Sequence, residues 1–169
     1  TTSNRSSKVA VIGLSGKFPD AEDIIQFWDN IVNGKESIKF LTPLSHKSDL
    51  EEHFVPAVSS MSNIYDFDPD YFSITPKDAL MMDLQQRHFL MGAVLALESA
   101  GYDPFRYDGK ISLVGCVGEN SYYKSLLQSK STIAQSVDDF QMAIGHEKDF
   151  IATKVAYHLN LRGPAFTIQ

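Results

Sequence analysis

The chain is short of cysteine, with Cys116 alone among 169 residues. One thiol rules out an internal disulfide and supplies no metal cluster. Long apolar runs are absent too. The longest, "FLMGAVLAL" from Phe89 to Leu97, is far below the roughly 20 residues that span a bilayer. Basic charge is in deficit, with 15 Lys and Arg against 21 Asp and Glu and a net charge of −6. That balance argues against a nucleic-acid backbone as partner. The opening residues "TTSNRSSK" lack the apolar core of a signal peptide, so residues 1–7 read as a linker or tag remnant. Together these gaps leave a globular chain with cytoplasm as the default location. Its apolar share is 43%, and its length suits one domain or part of a larger one. A compact domain of this size buries about 70% of its unfolded surface.

What is present alternates between strand and helix signals. "KVAVIGLSGKFP" opens with an apolar run, Val9 to Leu14, punctuated by Gly13 and Gly16, which reads as a strand and a tight loop. After Asp23, apolar residues fall at helical spacing up to Val32, and Gly34 suits a C-cap. Residues 35–72 carry Pro43, Pro56 and Pro69 and show no strong period, so they read as a long irregular excursion. Thr75 as cap and Pro76 in the first turn predict a helix that Gly101 ends, with a central segment over 84–100. That segment is apolar on every side, which predicts central packing. "KISLVGCVGEN" reads as a strand near 111–117 and "AFTIQ" as another over 165–169. A helical stretch from Asp138 to Asn160, interrupted near Gly145, lies between them. The alternation predicts an α/β layered fold with some parallel pairing.

Several motifs fail on inspection. Gly13 and Gly16 enclose two residues where a phosphate loop has four, and Phe18 stands where Ser or Thr should follow Lys17. Asp66, Asp68 and Asp70 have calcium-loop spacing, but Tyr71 and Lys77 occupy the positions that need Gly and Glu. A turn with Asx hydrogen bonds is the better reading. The five histidines are scattered without metal-ligand spacing. Cys116 reads as a buried, inert strand thiol. Arg87 reads as the anchor of a partly buried ion pair with Asp83, four residues earlier on the same helix.

Four stretches, in order, carry a resemblance. "VAVIGLSGKFPDAEDIIQFWDNIVNGKESI" resembles the opening of polyketide synthase β-ketoacyl synthase domains, Gly-x-x-x-x-Phe-Pro-Gly-Ala, then Phe-Trp, then Gly-x-x-Ser-Ile. "FDPDYFSITPKDALMMDLQQRHFL" resembles the family's Phe-Asp-x-x-Phe-Phe-x-Ile-Ser-Pro-x-Glu-Ala-x-x-Met-Asp-Pro-Gln-Gln-Arg. "ALESAGYDPFRYDG" is similar to Ala-Leu-Glu-x-Ala-Gly-Tyr-x-Pro, and "GHEKDFIATKVAYHLNLRGPAFTIQ" to the family segment that ends Leu-Asn-Leu-x-Gly-Pro. The similarity runs from about residue 8 to residue 169, giving an N-terminal ketosynthase fragment over 8–169. Departures also occur. Leu84 stands for the family's Pro, Ser73 for its Gly, Ser59-Ser60 for Gly-Gly and His146 for Asn. Relaxed constraint and ordinary variation both remain open.

The resemblance implies the first half of a thiolase-type layered α-β-α-β-α fold, truncated before the nucleophile elbow. In the family the strand similar to "AFTIQ" runs into Thr-Ala-Cys-Ser, whose cysteine takes the acyl chain. Neither that cysteine nor the family's two histidines falls within these residues, so no catalytic, metal or directly bound cofactor residue is expected. The resemblance further implies a phosphopantetheine-tethered substrate on an acyl carrier protein, other megasynthase domains as partners, and a homodimer. It places Gln141, Met142 and Ile144 near the dimer seam and acyl tunnel, whereas their spacing equally suits the core of an amphipathic helix. Two functions stay open: the N-terminal portion of a catalytic ketosynthase, inactive alone, or a non-catalytic remnant used for docking between megasynthase polypeptides.

Overall fold

The computed structural model describes residues 8–41, 55–119, 122 and 147–168. Gln141, Met142, Ile144 and the Gly145-His146 pair lie outside the described residues. The chain forms two compact units, one of residues 15–64 and one of the residues on either side. Among the described residues, no helix is long and apolar enough to cross a membrane.

The smaller unit is organised by α1, Ile24–Val32. Asp23 caps it by accepting from the Gln26 amide at 2.8 Å, and Gln26 Oε1 reaches back to the Glu22 amide at 2.8 Å. Two orphan donors are thereby satisfied reciprocally. Gly34 ends the helix at φ +63°. Its amide donates to Ile31 and that of Lys35 to Asn30, the paired bonds of a Schellman motif. The excursion after it is not wholly irregular. β1, Lys39–Phe40, pairs antiparallel with β2, Ala57–Val58, with Lys39 opposite Val58.

The larger unit contains α2 (Pro76–Met81), α3 (Leu84–Ser99), β3 (Leu113–Gly115), α4 (Ile151–His158) and β4 (Ala165–Thr167). A 3-10 turn over Lys148–Phe150 leads into α4. β3 and β4 run parallel with Val114 opposite Phe166, α4 packs on both strands, and α3 packs on α4. Leu90, Val155 and Leu159 join Phe72, Ile74, Ala79 and Met82 in the core, with Phe67, Phe89 and Leu113 packed around them. The expected Asx turn is present, because Asp68 Oδ1 accepts from the amides of Asp70 and Tyr71 at 3.1 and 3.2 Å.

Several expectations need correction. The helix predicted to begin at Thr75 is two helices. Thr75 caps α2 as expected, but Met82 and Asp83 are extended and Asp83 caps α3. Leu84 is therefore the first residue of α3, the position where proline is favoured. Among the described residues, 8–14 pair with no strand. Leu14 donates its amide to Ser99 Oγ at 3.4 Å, and Gly13 lies against α3 so closely that a Cβ there would sit 2.4 Å from the Ala96 carbonyl oxygen. The segment leans on a helix, and a cleft of about 510 Å³ lies between its residues 10–13 and residues 111–113. The other two strands are shorter than predicted, and Cys116 falls one residue past β3 and is exposed, not buried. Within "FLMGAVLAL" only Leu90 is fully buried, and Leu95 is 54% exposed. Among the described residues α4 packs on one stripe of α3, and Leu95 stands on a side left open.

Candidate functional site

The segment Asp83-Leu84-Gln85-Gln86-Arg87 places polar side chains at the start of α3, and each holds a different piece of backbone. Asp83 Oδ1 accepts from the Gln85 amide at 2.8 Å. Gln85 binds the segment beyond β3 twice, accepting from the Gly118 amide at 2.9 Å and donating to the Glu119 carbonyl at 3.3 Å. Gln86, almost fully buried, donates to the Glu147 carbonyl at 3.3 Å and accepts from Lys154 Nζ at 2.9 Å. Arg87, also buried, donates from Nε to the Met82 carbonyl at 3.1 Å. Its Nη2 reaches the Leu80 carbonyl at 3.3 Å and the Tyr122 hydroxyl at 3.1 Å.

The expected Asp83–Arg87 ion pair is thus replaced. Asp83 is used as a helix cap and Arg87 as a carbonyl clamp across the α2–α3 break. Buried charge needs such partners. The break itself turns the carbonyls of Leu80 and Met82 toward the guanidinium, and Tyr122 also donates to Leu80 at 3.0 Å.

These bonds fix the surroundings of the carboxyl ends of β3 and β4. Thr167 Oγ1 donates to the Asp149 carbonyl at 2.9 Å, and the Ile168 amide donates to Gly115 at 2.9 Å. A Cβ on Gly115 would lie 3.0 Å from Ile151 Cγ2 and 3.3 Å from the Phe89 ring, so these side chains would have to give way by a few tenths of an ångström. In open α/β sheets this end of the strands is where chemistry is placed.

Two titratable groups are perturbed nearby. Burial pushes the Lys154 ammonium from 10.5 down to about 8, against the opposing pull of Asp78. Burial also lowers His158, with the Lys154 charge adding to it and a hydrogen bond to the Phe72 backbone opposing it. Among the described residues, no group of three His, Cys, Asp or Glu could hold a metal ion. The arrangement is a framework that fixes strand ends. Sequence reasoning named Arg87 within it but overlooked Gln85, Gln86, Lys154 and Thr167. The available signal was a run of polar residues opening an otherwise apolar helix.

The fold and this helix start meet in one class of protein. The sequence model of the family described as "Beta-ketoacyl synthase, N-terminal domain" matches residues 6–169, and the chain belongs to that family. A component of the phenolphthiocerol/phthiocerol polyketide synthase of Mycobacterium tuberculosis (strain ATCC 25618 / H37Rv) is 35% identical over 174 residues, covering 95% of this chain and 12% of that protein. Polyketide synthase PksN of Bacillus subtilis (strain 168) is 33% identical over 169 residues, covering 95% of this chain and 3% of its own length. Among solved structures, the ketosynthase from module 1 of the bacillaene synthase of Bacillus amyloliquefaciens FZB42 aligns with a TM-score of 0.77 at 36% identity, covering 95% of this chain and 28% of that one. The chain therefore spans a small part of the relatives it matches. Its fold is the N-terminal part of the thiolase-type ketosynthase fold, and it is an N-terminal ketosynthase domain of a modular polyketide synthase.

Proposed function

We propose that these residues serve as the scaffold of a decarboxylative Claisen condensation, in which acyl chains are carried by phosphopantetheine on an acyl carrier protein. The observation that carries the reading is the framework at the carboxyl end of β4. Gln85, Gln86 and Thr167 tie α3, the residues beyond β3 and the start of α4 together around it. A strand end held this firmly suits the launch of a nucleophile elbow. On this reading Gln141, Met142 and Ile144 face the dimer seam or acyl tunnel. Residues 1–169 bind no cofactor of their own and are inactive alone, and Cys116 is no acyl acceptor.

A second reading, a non-catalytic docking element, draws on the apolar face of the β3–β4 pair, where Val114, Phe166 and Ile168 are each more than half exposed. The catalytic-scaffold reading is favoured, because a docking role gives no reason for so many bonds at the strand ends. The test is incubation with an acyl-pantetheine thioester, read by intact mass. The folded chain should acquire acyl groups no faster than the same chain in denaturant. A rapid stoichiometric adduct on Cys116 of the folded chain would overturn the proposal.

A further inference from the structure

The Gln86 side chain has one acceptor end and one donor end, and both are engaged. Oε1 accepts from Lys154 Nζ at 2.9 Å, and Nε2 donates to the Glu147 carbonyl at 3.3 Å. Gln86 is only 3% exposed, so bulk water does not stand in for either partner. A lysine ammonium only donates and a carbonyl only accepts. Turning the Gln86 amide over would therefore set donor against donor at one end and acceptor against acceptor at the other. Lys154, in the first turn of α4, decides which end of that amide faces Glu147.

From Glu147 the connection continues to β4. The Glu147 carbonyl also accepts from the Phe150 amide at 3.3 Å, the bond that closes the 3-10 turn over Lys148–Phe150. That turn has no side-chain cap of its own, so the Gln86 amide is what ties its first carbonyl to α3. Inside the turn, the Asp149 carbonyl accepts from Thr167 Oγ1 at 2.9 Å. Thr167 is the last residue of β4, and the next residue, Ile168, donates its amide to Gly115 at 2.9 Å. Lys154, Gln86, the turn and Thr167 thus form one continuous chain of hydrogen bonds from α4 through the head of α3 to the strand end.

We propose that Lys154 is a positioning residue for the carboxyl end of β4: it holds the Gln86 amide in one orientation, the amide fixes the 3-10 turn, and the turn fixes Thr167 and the residue after it. Lys154 acts here through other groups and touches no reacting atom. Its functional consequence rests on reading that strand end as the launch of a nucleophile elbow, whereas the linkage itself is a property of the backbone and is measured there.

Native-state hydrogen exchange near pH 7, where the lysine lies below its pKa of about 8 and is mostly charged, tests the proposal. Lys154→Met keeps the alkyl stem and removes the donor. It should speed exchange of the Ile168 and Phe150 amides about tenfold, the worth of one hydrogen bond to a charged group, while Leu90 in the core of α3 changes by less than about threefold. Lys154→Arg restores a charged donor and should return both amides to within about threefold of the parent. Gln86→Glu leaves Lys154 a partner but sets a carboxylate oxygen against the Glu147 carbonyl. It should release the same two amides, so the linkage is still read if Lys154→Met does not fold. Exchange involves no acyl transfer, so this result and that of the thioester incubation stand or fall separately. Unchanged exchange at Ile168, equal acceleration at Leu90, or a Lys154→Arg variant no better protected than Lys154→Met would each overturn the proposal.

Discussion

Ser73 has a φ of +53° and Asp20 a φ of +55°. Both stand where the ketosynthase pattern has glycine, in Phe-Phe-Gly-Ile and Phe-Pro-Gly-Ala. The backbone here takes the left-handed geometry without the residue best suited to it. Asp tolerates this region better than most residues, and the Asp20 carbonyl accepts from Asn30 Nδ2 at 2.9 Å, which helps hold the turn. Ser73 is held by its amide, which donates to the Asp70 carbonyl at 3.0 Å, and by burial of Phe72 and Ile74 on either side. Ser73→Gly should therefore stabilise the larger unit by about 1 kcal/mol, the cost of a left-handed non-glycine residue less glycine's extra chain entropy. Chemical denaturation of both proteins would measure it. A variant less stable than the parent would show that the Ser73 side chain makes a stabilising contact that its backbone geometry hides.

At the scale of elements, local chemistry was legible where a single residue type decides the outcome. Gly34 and Gly101 both have positive φ, and Thr75 and Pro76 sit at cap and first turn as their chemistry requires. The break between α2 and α3 was hidden, because Met82 and Asp83 continue the helical period and only the capping role of Asp83 reveals the stop. Residues 8–14 were misread because an apolar run encodes burial and not its partner, and here the segment leans on α3 through Gly13. The framework at the head of α3 was mostly hidden because its acceptors are backbone carbonyls, which no side-chain pattern announces.

That framework makes a pH prediction. Lys154 has its pKa lowered from 10.5 to about 8 in the folded chain, so between these values the unfolded chain holds the proton more tightly. Stability should then rise with pH across that window, and the full cost of the buried charge should be present below pH 8. His158 acts in the same sense lower down, since its pKa falls below 6.5, so acidification from that value should also destabilise. Lys154→Met should abolish the rise between pH 8 and 10.5 relative to the parent and shrink the acid limb without removing it, since burial is the larger cause of the His158 shift and the Lys154 charge the smaller. Parallel pH slopes for the two proteins in denaturant melts would show that Lys154 is not the group responsible.

For the whole molecule the decisive quantity is apolar surface. In β3 and β4 the side chains alternate, so Gly115 and Thr167 turn toward α4 and the helix layer, while Val114 and Phe166 lie opposite each other on the outer face at 58% and 59% exposure. Ile168 continues that face at 58%, and in the other unit α1 leaves Ile25 and Trp28 at 74% and 62%. Soluble monomers seldom leave contiguous apolar patches beyond a few hundred Å² uncovered, and burial returns about 25 cal/mol per Å². The outer face of the β3–β4 pair is small alone, but both of its strands also end without a further partner among the described residues, and unpaired edges recruit other strands. The chain on its own should therefore associate as its concentration rises. Light scattering across a hundredfold concentration range should show the mean mass climbing above the 18.9 kDa of one chain. Phe166→Gln, which removes the largest exposed ring of the pair without touching the helix-facing side, should move the midpoint of that rise to higher concentration by tenfold or more. A mass that stays at one chain throughout, with the amides of Phe166 and Ile168 protected from hydrogen exchange, would mean that the open face is closed within a single molecule.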